Sequence, residues 1–180
     1  MLYTFKELKE KFKTRHQISK AIENNELFKI EKGIYSDEKD VNSFQIFAKK
    51  YPNVVFTMDS AFYYYDLTDV IPRKNYIAIH RDSKIKKTKA MQVYYLTDSL
   101  FELGKTKMII HKAEINIYDK EKMLIELVRN RNGVGFDYYK EIINNYRKIV
   151  DDLDTRKIED YLEYYKNRDN IFETIMNEVF

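Results

Sequence analysis

Thr4-Phe-Lys-Glu-Leu-Lys-Glu-Lys-Phe12, Thr14-Arg-His-Gln-Ile-Ser-Lys-Ala-Ile-Glu-Asn-Asn25 and Leu27-Phe-Lys-Ile-Glu-Lys-Gly-Ile-Tyr35 follow one another with almost no spacer. Glu7 lies three residues after Thr4, and Gln17 three residues after Thr14. A threonine hydroxyl that accepts from the third backbone N–H, with a Glu or Gln reaching back, is a capping box, so two helix starts are marked in quick succession. Phe5, Leu8 and Phe12 share one face of the first helix, and Ile18, Ala21 and Ile22 share one face of the second. Lys13 alone separates the two, which forces them to meet at a sharp angle. Leu27 to Ile30 and Gly33 to Tyr35 then read as two short extended runs. Glu31-Lys32-Gly33 turns between them, with Gly33 free to take positive φ.

Two abutting helices followed by a hairpin predict a winged helix-turn-helix over residues 1–36. A full winged helix has a further helix before this pair, and only Met1 to Tyr3 precede it, so the domain is either minimal or borrows packing from the rest of the chain. Away from Ile18 and Ile22, the second helix presents His16, Ser19, Lys20, Glu23 and Asn24, with Thr14, Arg15 and Gln17 at its start. Side chains of these types donate to phosphates or read base edges, and they gather where recognition helices make base contacts. The bland alternative is an ordinary polar face on a small helical hairpin, and the wing tips the balance towards DNA. Lys29 and Lys32 would set the wing on the phosphate backbone.

Beyond this head, Ser36-Asp-Glu-Lys-Asp40 reads as a polar break, and residues 37–180 as a second domain. Val41 to Lys50 predicts a helix ended by Tyr51-Pro52, Val54 to Thr57 a short buried strand, and Ser60 to Leu67 a helix capped by Thr57 or Asp59. Strands are expected over Asn75 to His80, Met91 to Leu96, Lys107 to His111 and Glu114 to Tyr118. From Asp119 the spacing turns helical and stays so, through Met123 to Val128, Ile142 to Tyr146, Ile158 to Tyr165 and Ile171 to Val179. The fold class is therefore α+β, with a winged head, a mixed body and a helical C-terminal end from about residue 119.

Charge is distributed unevenly. Residues 1–33 hold eight Lys/Arg against five Asp/Glu. Residues 73–92 hold seven, Arg73, Lys74, Arg81, Lys84, Lys86, Lys87 and Lys89, against Asp82 alone. Residues 151–180 hold four against nine, so an acidic end complements two basic regions. The segment 81–89 has two readings: a solvated hairpin whose lysines protect strand edges, or a second phosphate-binding surface. The second is preferred beside a basic head. The tyrosine runs at 63–65 and 161–165 are expected in the core rather than stacked on bases.

The chain has no cysteine, which excludes a disulfide framework, a thiolate nucleophile and a zinc–thiolate site. Its start does not read as a signal peptide, and no apolar run approaches a membrane span, so the expectation is a soluble cytoplasmic protein with no membrane contact. His16, His80 and His111 are the only histidines and sit in no metal-ligand spacing. His80-Arg-Asp82 looks like a kinase loop but lacks the glycine-rich partner. Ser60 lacks nucleophile-elbow glycines. No catalytic residue, metal or cofactor is expected, and the chain reads as a non-enzyme.

Tyr51-Pro-Asn-Val-Val-Phe-Thr-Met-Asp-Ser-Ala-Phe-Tyr-Tyr-Tyr-Asp-Leu-Thr-Asp69, then Ile71-Pro72, then a strand and a basic stretch, resembles the AbiEi family of antitoxins. Asn116-Ile-Tyr-Asp-Lys-Glu-Lys-Met-Leu-Ile-Glu-Leu-Val128 looks like that family's Tyr-x-x-Glu-Arg-Thr-x-x-Asp-Leu helix. The pattern departs at Tyr65-Asp66, where His-Gly is usual, at Lys122-Met123, where Arg-Thr is usual, and at Glu126, where Asp is usual. The resemblance implies the antitoxin of a type IV toxin–antitoxin pair in abortive infection (a phage-defence role). Such a protein represses its own operon by binding inverted repeats in promoter DNA, as a cooperatively bound monomer or a weak dimer. It opposes a cognate nucleotidyltransferase toxin without a stable complex. The alternatives are a protein-interaction module using the body and the acidic end, and an RNA-binding module using the loop 81–89 without sequence-specific DNA binding.

Overall fold

A computed structural model describes all 180 residues. The fold is α+β, and the chain divides into two compact units, residues 1–52 with 109–115 and residues 53–108 with 116–180.

The first unit starts with a strand, β1 (Leu2–Thr4), and then helices α1 (Phe5–Lys11) and α2 (Arg15–Glu23). Strands β2 (Phe28–Glu31) and β3 (Ile34–Ser36) and helix α3 (Ser43–Lys50) follow. Both capping boxes form: the Glu7 N–H donates to Thr4 Oγ1 at 3.3 Å while the Thr4 N–H donates to Glu7 Oε2 at 2.6 Å. Thr14 and Gln17 make the same exchange at 3.3 and 3.2 Å. The three residues before α1 are a strand, which sequence reasoning passed over. Leu2 pairs with Ser36 and Thr4 with Ile34, giving an antiparallel sheet of order β1-β3-β2. Leu8, Ile18, Ala21 and Leu27 form the buried centre, ringed by Tyr3, Phe5, Phe12, Ile22 and Tyr35.

This unit continues past residue 36, where the sequence places a boundary. Helix α3 packs on β1 and β3. Its Lys49 Nζ lies 2.6 Å from Glu7 Oε1 and its Lys50 Nζ 2.9 Å from Glu31 Oε1. The polar run Ser36 to Asp40 is a loop within the unit, and Ser36 itself is buried.

The second unit contains β4 (Val55–Phe56), α4 (Met58–Tyr64), β5 (Asn75–His80), β6 (Met91–Leu96) and α5 (Asp98–Glu102). Next come β7 (Lys105–Ile110) and β8 (Ala113–Tyr118), a hairpin whose end, residues 109–115, belongs to the first unit. Helices α6 (Lys120–Arg129), α7 (Phe136–Lys148), α8 (Thr155–Leu162) and α9 (Arg168–Glu178) complete the chain. The sheet order is β6-β5-β4-β8-β7, with β4 antiparallel to β5 and parallel to β8. Helix α6 is the hub. Every residue from Glu121 to Val128 is buried, and the helix packs on α4, α8 and α9. No helix is long and apolar enough to cross a membrane.

Strands β5 and β6 do not form a hairpin. They run parallel in continuous register from Asn75↔Met91 to His80↔Leu96. Residues 81–90 must therefore return the full length of a strand without a helix, below the dozen or so residues such crossovers usually take. That length makes the hairpin the natural expectation from sequence; the pairing overrides it.

The tyrosine runs are only partly core. Tyr165 is buried, Tyr63 to Tyr65 and Tyr161 are half-buried, and Tyr164 is exposed.

Candidate nucleic-acid interface

In the first unit the exposed face of α2 is built from its start outward. Ile18 and Ala21 point into the core and fix the rotation of the helix, so Arg15, His16, Ser19 and Lys20 all face solvent. Arg15 with Ser19, and His16 with Lys20, are four apart and stack along the same side. The Arg15 guanidinium also rests 5.7 Å from the centre of the Phe5 ring, a cation–π contact that steadies its stem without occupying its donors. Thr14 and Gln17 are exposed too, but each is engaged in the capping box. This leaves Arg15, His16, Ser19 and Lys20 with uncommitted donor groups.

The hairpin β2–β3 belongs to the same unit, and its Tyr35 packs against the core that Ile18 and Ala21 help form. Gly33 takes φ +86°, as its turn requires, and no neighbouring atom would block a side chain there. The pairing shifts register between Lys29 and Glu31, a bulge that twists the short ribbon. Lys29 and Lys32 are both exposed, and Lys32 sits at the turn. Glu31, between them, is held by Lys50, so its charge is compensated from within the unit.

One cation escaped the sequence reading. Lys13 is exposed in the single-residue turn before the cap of α2, where it adds positive charge at the end of the helix that favours anions. Its position between two capping boxes is the signal that could have found it.

Electrostatics also bind α3 to the head. The Lys49 ammonium and then the Thr4 N–H bring the Glu7 carboxyl down to about 2. Glu7 is thus a carboxylate at any ordinary pH and joins the first turn of α1 to α3.

The second basic set lies on the second unit. Arg73 and Lys74 precede β5, and Lys89 lies at the same end of the strand pair, where the Asn75 N–H donates to the Ala90 carbonyl at 2.8 Å. Arg81 marks the opposite end, its N–H donating to the Leu96 carbonyl at 2.8 Å. Between the two ends Lys84, Lys86 and Lys87 line the crossover, and all seven cations are exposed. Lys87 Nζ sits 4.8 Å from the centre of the Tyr95 ring, which places the segment along that face of β6. The six-residue pairing makes this a basic stripe of roughly 16 Å, the rise of about five base steps along one strand.

The remaining chemistry-bearing residues make contacts within the second unit. His80 pairs through Nε2 with Asp98 and lies 3.8 Å from Asp82, joining the end of β5 to α5. Ser60 accepts the Tyr76 N–H at 2.9 Å, which ties α4 to β5. Burial raises the pKa of the Asp59 carboxyl, which is hydrogen-bonded to Tyr76. No group of three His, Asp or Glu side chains is arranged to hold a metal ion.

No family model matches the chain, and a search of curated proteins finds no match.

Proposed function

We propose that the chain is a sequence-specific DNA-binding protein whose first unit acts as a short winged helix-turn-helix. The observation that carries the reading is the shared exposure of Arg15, His16, Ser19 and Lys20 on α2, in the same unit as a hairpin bearing Lys29 and Lys32. A helix presenting such residues fits the major groove, and a basic hairpin beside it fits the adjacent backbone. Strand β1 supports the reading further. It gives the hairpin a third strand, so the wing is anchored at its base rather than free.

Within this reading the resemblance of residues 51–72 and 116–128 to the AbiEi antitoxins supplies the biological role. The protein is a cytoplasmic antitoxin that represses its own operon at inverted repeats and opposes a nucleotidyltransferase toxin without holding it in a complex. The basic stripe over residues 73–89 adds phosphate contacts that carry affinity rather than sequence.

A gel shift on the promoter upstream of the gene, repeated across salt concentrations, tests this. Arg15→Ala with Lys20→Ala should weaken promoter binding and narrow its margin over random DNA, by about 1–3 kcal/mol for a good base contact. Lys32→Ala should weaken all sequences alike and lower the salt slope by roughly one unit. Promoter affinity equal to that for random DNA, unchanged by the double substitution, rules the reading out. Retention of structured RNA in place of promoter DNA would favour an RNA-binding role for the stripe.

A further inference from the structure

Between the end of α6 and the start of α9, the second unit holds a half-open cavity of about 230 Å³ that has no part in the proposed DNA interface. Arg129, Arg131 and Lys166 line it, and no carboxylate does. Of the three cations, Lys166 belongs to residues 151–180, a segment that carries an excess of acid. Of the four basic groups in residues 151–180, two are paired: Lys157 with Asp119 and Glu121, Arg168 with Glu163 and Asp169. Arg129 is shared with Glu126 at 3.4 Å. The side chains of Arg131 and Lys166 make no hydrogen bond or ion pair, so two cations face the cavity uncompensated.

Arg129 and Arg131 would suit the negative end of α6 in any case. Lys166 has no such reason to be there. It precedes Asn167, which takes the left-handed conformation (φ 61°) and opens α9 without a side-chain cap. The left-handed Asn167 also lines the cavity, as do Asn132 and Asn170. The floor is apolar, formed by the buried side chains of Val128 and Ile171.

We propose that this cavity binds a small phosphate monoester of sugar-phosphate size. Guanidinium groups match phosphate oxygens in a planar fork, and the lysine adds a point charge. The three carboxamides suit hydroxyl groups on the remainder of the ligand, since each both donates and accepts. The apolar floor takes its carbon skeleton. The volume lies below the roughly 300 Å³ at which pockets for larger ligands begin, so a phosphate and one ring fit and a dinucleotide does not. Because the second phosphate proton leaves near pH 6, binding should weaken as pH falls below about that value.

The test is calorimetric titration of the full chain with ribose 5-phosphate at low salt, with ribose and inorganic phosphate as companion probes. The expected result is saturable binding of ribose 5-phosphate at or below ~10 mM with matching thermal stabilisation, weaker binding of phosphate and none of ribose. Arg131→Gln with Lys166→Gln alters exposed, unpaired side chains and should keep the melting temperature while weakening binding by roughly tenfold or more. Arg156→Gln with Lys112→Gln removes two exposed cations elsewhere and should leave it unchanged. Absence of binding to the unaltered protein overturns the proposal, as does equal weakening in both double variants. Promoter binding by the Arg131/Lys166 variant should be intact. Its loss, with no ribose 5-phosphate binding by the parent, would reassign these cations to nucleic acid.

Discussion

Lys122 is buried with no exposed surface in the middle of α6, which makes it the most constrained charge in the chain. Its ammonium donates to the Leu103 carbonyl at 3.0 Å and to the Leu100 carbonyl, and lies 3.4 Å from the centre of the Tyr118 ring. Burial brings its pKa down to about 8, against the pull of Glu126 and Asp119, which favour the charged form. The folded-state pKa is therefore below the unfolded value of 10.5, and between the two the unfolded chain binds more protons. Stability from this residue rises as pH climbs out of the neutral range. Between pH 7 and 9, urea unfolding should show the parent gaining roughly 1 kcal/mol relative to Lys122→Met, a comparison in which the tyrosine contributions common to both cancel. Parallel curves would mean that Lys122 is not held down by burial. A lysine here can lose its proton, whereas an arginine would stay charged, so this position is pH-sensitive because it is lysine.

At the scale of elements, the hairpin β7–β8 turns through His111 and Lys112, with φ of 46° and 64°. Two consecutive positive values are the signature of a type I′ turn, where Asn-Gly is the favoured pair. Lys112 is exposed and carries strain that glycine would not, so Lys112→Gly should stabilise the protein by about 1 kcal/mol in thermal or chemical unfolding. A destabilised variant would show that the turn is not under strain. Some elements were legible and some were not, for physical reasons that differ. The capping boxes at Thr4 and Thr14 are local, so sequence alone located both helices. Strand β1 is three residues long and owes its identity to pairing with β3 more than thirty positions away, a contact no periodicity reports. Helix α5 spans five residues, too few for a helical repeat to show. The parallel pairing of β5 and β6 was hidden because a ten-residue connection looks like a hairpin loop.

At the scale of the whole molecule, the acidic sum of residues 151–180 concealed Lys166, since a regional balance hides a locally uncompensated charge. The same scale decides how the head can be studied. Residues 109–115 belong to the first unit: Gln45 Nε2 donates to the His111 carbonyl at 2.7 Å, and the Phe44 and His111 rings meet edge to face at 5.9 Å. A fragment ending at Pro52 lacks this segment and should give a poorly dispersed proton NMR spectrum and no cooperative melt, whereas the full chain melts cooperatively. A cooperative melt of the fragment would show that residues 109–115 are dispensable. The discontinuity has a consequence during synthesis. Residues 1–36 are made well before residue 115, and the unit cannot close until residue 115 has been made, a delay of roughly 4–16 s at common elongation rates. Nascent chains that end before the hairpin therefore never complete the first unit, which closes only after about two thirds of the chain has been made.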